Sequence, residues 1–279
     1  MTSFLRSALL GITASALLHS TAAAAFTFTN GDLILGFHAT SGEGAQTNVY
    51  FNLGSATSYR DGSFNTNLGN IGGTLSTVFG STWYDRNDIY FGAVANLSDK
   101  YPTGSGKLGS VGAVNGDPSL TVYASRPAVG AGQSVPISGL NFESLVNPAK
   151  GITTIEGTFA ALGAGNADGT LLISQTANPT LWESSWSYFN SPSYSFTSLP
   201  GIEQNFGGAG DATFLDIQRI LSISNGANPS GTVGTGEYVG TVIIGRDGSI
   251  GMIPEPSVSL LAAGAALAAT VRRRRTASN

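Results

Sequence analysis

Between Phe26 and Ile253 the apolar residues fall into short runs that alternate with polar positions, each run bracketed by glycine, asparagine, aspartate or serine. That pattern predicts strands joined by turns. Asp32–Thr40, between Asn30-Gly31 and Ser41–Gly44, reads as a strand, with Asn48–Leu53 as its antiparallel partner. Asp88–Ala95 reads as a buried strand, and Leu120–Ala124 as another. Thr170–Ile173 follows an Asp168-Gly169 turn and hints at a short strand. Glu237–Ile244, Gly245–Gly248 and Ser249–Ile253 spell strand, turn and strand, a terminal hairpin. Helical spacing is rarer. Ile71, Leu75, Val78 and Phe79 share one helical face, and Phe142–Asn147 predicts a short helix stopped before Pro148. Thr213–Ile223 fits neither period, so strand and helix both stay open there.

No fixed-period repeat is present, and the turn spacing predicts an all-β fold: an antiparallel, jelly-roll-like β-sandwich with one or two short helices. Composition agrees, with 38 glycines and only 11% charged residues in 279. Ser98–Asp117, rich in glycine and serine, reads as a long loop. The 26–253 region holds 8 basic and 16 acidic residues, a net −8. With no basic cluster in it, nucleic acid is excluded as a partner. The absence of cysteine excludes a thiol nucleophile, a cysteine zinc site and an iron–sulfur cluster.

The two ends break the β pattern. Arg6, an apolar run from Ala8 to Leu18 and the small residues Ser20–Ala25 have the form of a secretory signal peptide, so a signal helix over residues 1–25 is expected. Ala23 and Ala25 frame the preferred cleavage site, after Ala25, with cleavage after Ala24 nearly as good. At the other end Pro254, Glu255, Pro256 and Ser257 precede an apolar stretch, Val258–Val271, and the basic run Arg272, Arg273, Arg274 and Arg275. Leucine and alanine favour a helix over 258–271, and the prolines separate it from the preceding strand. At about 1.5 Å per residue its 14 residues span roughly 21 Å, against a hydrocarbon core of about 30 Å. The arginines would stay cytoplasmic. The segment suits transient membrane association better than lasting anchorage.

This ordered set resembles the PEP-CTERM proteins, whose C-terminal tail is a sorting signal. The resemblance covers residues 254–279 and implies export through the Sec machinery. It further implies recognition of Pro254-Glu255-Pro256 by a membrane-embedded exosortase-type enzyme, retention through Arg272–Arg275, removal of the tail, and delivery to the cell surface or extracellular matrix, often among exopolysaccharide. The run from Asp32-Leu-Ile-Leu-Gly-Phe to Trp83 also looks like ectodomains that carry this tail, without implying an activity.

Candidate chemistry in the ectodomain is sparse. His38 is its one histidine, and strand alternation sets it beside Ile34 and Gly36, facing solvent. A glycoside hydrolase or lyase would need two facing carboxylates. Asp85 with Asp88, or Glu183 with Asp211, can be nominated, but nothing singles them out. No nucleotide, zinc-protease, serine-hydrolase or calcium-loop motif is present, so no cofactor and no metal is expected. Trp182, Trp186 and Tyr188, with Phe189 and Tyr194, form an aromatic patch that would bind carbohydrate if exposed and would be core if packed inward. The expected function is an exported, non-enzymatic surface or matrix protein. The alternative is a carbohydrate-binding β-sandwich using that patch.

Overall fold

The terminal hairpin ties the fold together. In the computed structural model, which describes residues 26–62, 65–97, 117, 121–140, 142–162, 165–186, 199, 201–207, 210–221 and 234–254, its strands are β9 (Gly236–Gly245) and β10 (Ser249–Pro254). Gly248, at φ +82°, closes the connecting turn in the left-handed region that glycine enters without strain. The turn docks on a second glycine. Gly72 begins helix α2 (Gly72–Phe79), and a Cβ on it would collide with the Asp247 carbonyl. Ile71 N donates to Gly248 O (2.9 Å), and Asn70 Nδ2 to Asp247 O (3.1 Å). The last strand and the first helical turns are thereby clasped.

The other strands are β1 (Asp32–Ala39), β2 (Thr47–Ser55), β3 (Asn67–Asn70), β4 (Ile89–Asn96), β5 (Val122–Ala128), β6 (Thr170–Ser174), β7 (Glu203–Asn205) and β8 (Ala212–Ile220). The short elements are α1 (Ala56–Arg60), a 3-10 turn (Trp83–Asp85) and α4 (Pro179–Trp182); the long helix is α3 (Phe142–Leu162). All strand pairs are antiparallel. They form one 10-stranded sheet in the order β3-β10-β9-β8-β5-β4-β1-β2-β6, with β7 added to β4.

The all-β antiparallel fold is as the pattern predicts, but the strands join into one sheet rather than the two of a jelly-roll-like sandwich. Curl supplies the layering. The end strands approach each other: Thr74 on α2, just after β3, donates to Asp168 (2.7 Å) just before β6. Leu33, Leu35 and Phe37 of β1, Phe91 of β4, Leu215 and Ile217 of β8, and Val242 and Ile244 of β9 pack inward with α2 and the 3-10 turn. Ile34, Tyr50, Val94, Val122 and Ile173 point the other way and meet α3. Burial on both faces accounts for β8, whose apolar residues follow neither period.

The expected stop before Pro148 is corrected. Helix α3 runs on through Pro148 for 21 residues. The proline removes one helical hydrogen bond. Leu145, Ala149, Ile152, Ile155 and Phe159 nevertheless form a continuous buried stripe against the sheet, and that packing outweighs the loss. The segments expected to be the signal helix and the C-terminal apolar helix lie outside the described residues, as does the Ser98–Asp117 loop apart from Asp117. No helix among the described residues is long and apolar enough to cross a membrane.

Candidate functional site

The aromatic patch is not one surface. Trp186 is fully buried, so it cannot stack on a sugar. Its indole covers Gly36, where a Cβ would stand 2.6 Å from the ring. Gly36 pairs with Gly92 across β1 and β4; the indole takes the space over Gly36, and the Ile202 carbonyl just before β7 takes the space over Gly92. Trp186 N donates to Tyr50 Oη (2.7 Å), and the indole N–H donates to the Glu203 carboxylate. Trp182, at the end of α4, is half-buried against the same outer cluster. Tyr188, Phe189 and Tyr194 lie outside the described residues. The overlooked signal was glycine inside two strand patterns, which marks close approach of another group.

His38 is likewise corrected: it is 8% exposed, not solvent-facing. The indole and β7 cover this part of the outer face, leaving His38 Nε2 3.1 Å from Glu203 Oε1 and its ring beside Tyr90. Glu203 Oε1 is also the oxygen that receives the Trp186 indole N–H.

The nominated carboxylates do not meet as pairs. Asp85 is held by Arg246, and Asp88 by Arg86 Nη2 at 2.6 Å. The hydrogen bonds from Arg86 hold the Asp88 carboxyl down to about 2. Glu183 caps the C-terminus of α4, while Asp211 is exposed just before β8. Buried Asp117 accepts Arg219 Nη2 (2.6 Å), Arg60 Nη1 (2.8 Å) and the Tyr123 hydroxyl (2.7 Å), tying β5, β8 and α1 together. Asp61 pairs with Arg60, whose hydrogen bond lowers its pKa. Asp168 and Asp247 accept from the threonine and serine two residues on, as turn residues do.

The sequence did not foreshadow the open groove of about 610 Å³ on the outer face, at the β3–β10–β9–β8 end of the sheet. Gly251 and Gly245 line it where the Thr66 carbonyl and the Ser249 and Asp247 side chains come close, and Ile243 and Ala212 give it apolar contact. Asn67 and Thr66 stand on one side, Asp211 and Arg246 on the other, with Asp247 and Ser249 at the hairpin turn. Arg246 is fixed by Asp85 and by the Tyr84 ring, 5.3 Å below its guanidinium carbon. These residues come from segments up to 185 positions apart, and each reads locally as a turn or strand end.

Of the residues nominated for sorting, Pro254 alone is among the described residues. Pro254 is the last residue of β10, opposite Gly240 of β9. A proline suits a strand end, where its missing N–H costs no further ladder bond. Glu255, Pro256, Ser257 and Arg272–Arg275 lie outside the described residues, as do Ala23 and Ala25. Phe26, the first described residue, is buried edge-on against Phe159 of α3 (5.1 Å between centroids). In the comparisons with known proteins, no family model, no curated protein and no solved structure matches the chain.

Proposed function

We propose that the chain is an exported, non-enzymatic surface or matrix protein, processed at both ends and sorted through residues 254–279. The observation that carries this reading is the placement of the sheet against the motif. β10 ends on Pro254, so the Pro-Glu-Pro tripeptide begins where the ladder ends, with no linker. A processing enzyme would take hold of the chain at the rim of the folded domain and leave the sheet whole. The N-terminal side is arranged alike: Phe26, directly after the proposed cleavage point, packs on α3. Sec-type export, transient membrane association and an exosortase-type enzyme belong to this reading. The cell surface or matrix is the destination. Carbohydrate binding through the aromatic patch is not retained, because Trp186 is core.

Intact mass of the form isolated from the bacterial surface tests the proposal. The first 24 or 25 residues and Arg272–Arg275 should be missing. Recovery of a surface form that still ends at Asn279 overturns it.

A further inference from the structure

We propose that the groove over Gly251 is a binding site for a neutral glycan. Its lining presents hydrogen-bonding groups with no partner among the described residues: the Asp211 carboxylate, the Asn67 carboxamide, and the Nε and Nη1 groups of Arg246. The carboxylate and the carboxamide are planar, two-pronged groups that match neighbouring hydroxyls of a sugar ring: the carboxylate accepts from two, and the carboxamide donates to one and accepts from another. Arg246, its Nη2 held by Asp85, adds single donors at Nε and Nη1. Ile243 and Ala212 offer apolar contact for the ring's C–H faces. The volume falls within the range of small-ligand clefts, roughly 300–1,000 Å³.

Charge narrows the ligand class. Asp85, Asp211 and Asp247 surround a single guanidinium, and Arg246 is already paired with Asp85. An anionic polysaccharide or a nucleic acid would meet net repulsion. A neutral, hydroxyl-rich chain meets none, and the open side of the groove lets it pass through. Preorganisation supports the assignment: Arg246 is braced by Asp85 and Tyr84, and the turn that carries it is locked to Ile71 and Asn70. The inference does not rest on the sorting tail, since a chain retained inside the cell would bind equally well.

Affinity electrophoresis of the full-length chain tests it, with soluble mannan, dextran or arabinogalactan in the gel and alginate as the anionic comparison. At least one neutral polysaccharide should retard the chain, and alginate should not. Asp211→Ala and Asn67→Ala should each weaken that retardation about tenfold. Val135→Ser, on an exposed loop away from the groove, should leave it unchanged. Neither groove side chain makes a hydrogen bond among the described residues, so both variants should melt like the parent chain. No retardation by any of the three neutral polysaccharides, stronger retardation by alginate, or parental retardation of both groove variants overturns the proposal.

Discussion

The two faces of the curled sheet are held by different physics. At the centre of the inner face the contacts are apolar: Phe91 stacks on Phe206 at 4.2 Å between centroids, and Trp83 meets Phe206 edge-on at 4.9 Å, while the buried Asp117 cluster joins Tyr123 of the same face to Arg60 and Arg219. On the outer face buried polar groups fix what lies over the sheet. Asn96 Nδ2 donates to Thr153 Oγ1 of α3 (2.9 Å). Asp216 receives Gly132 N (2.9 Å), Ser134 N (2.7 Å) and Thr241 Oγ1 (2.5 Å), and Gln218 receives Ile137 N (2.8 Å). The difference follows from what each face must position. Strand register already places the inner side chains, and shape suffices to pack them. A helix and an irregular loop have no register with the sheet, so directional hydrogen bonds set their positions.

Truncation on the inner face should have the largest effect. Phe91→Ala removes a fully buried ring from the centre of the cluster and should cost about 3–5 kcal/mol in a denaturant titration. A loss below about 1 kcal/mol would mean that the aromatic stack does not dominate that face. On the outer face, Asp216→Ala should cost less, about 1–3 kcal/mol, because the loop amides it releases lie near water. Its signature is local: hydrogen exchange should quicken at Gly132 and Ser134 and stay slow in β1 and β4. Exchange rising equally in those distant strands would erase the distinction between the faces.

Legibility in the sequence divides along the same line. The inner face was readable because Leu33, Leu35 and Phe37 recur at every second position between turn signals, and because the terminal hairpin carries its own turn chemistry. The outer face was not. His38 looked solvent-facing because its cover comes from Trp186 and Glu203, more than 140 positions away. Local propensity ends helix α3 before Pro148, since it carries no record of the buried stripe that sustains the helix beyond it. The approach of the two ends of the sheet shows in the Thr74–Asp168 hydrogen bond, a contact no local pattern announces. The groove was invisible for a like reason: Asn67, Asp211 and Arg246 come together only once β3, β10, β9 and β8 pair.

The smallest expected effect is also specific to the outer face. Glu156 on α3 is 6% exposed, and its Oε1 is buried without a hydrogen-bond partner among the described residues. Burial first, and then the Asp32 carboxylate, push its pKa up to about 8. In the unfolded chain the group loses its proton near 4.5, the ordinary value. Between those values the folded state binds more protons than the unfolded one, so stability falls as pH rises through the window and levels off above it. Glu156→Gln keeps the shape and cannot ionise. Its melting temperature should match the parent below pH 4.5, draw ahead from there to pH 8, and stay ahead beyond. A gain on the order of 1–2 kcal/mol, roughly 2–8 °C for a domain of this size, is expected at pH 8.5. Inner-face variants such as Phe91→Ala should show a loss that does not vary with pH over the same range. An equal offset for Glu156→Gln at pH 4.5 and pH 8.5 would show that the carboxyl is solvated in the folded state, and that this part of the outer face is looser than its buried polar contacts imply.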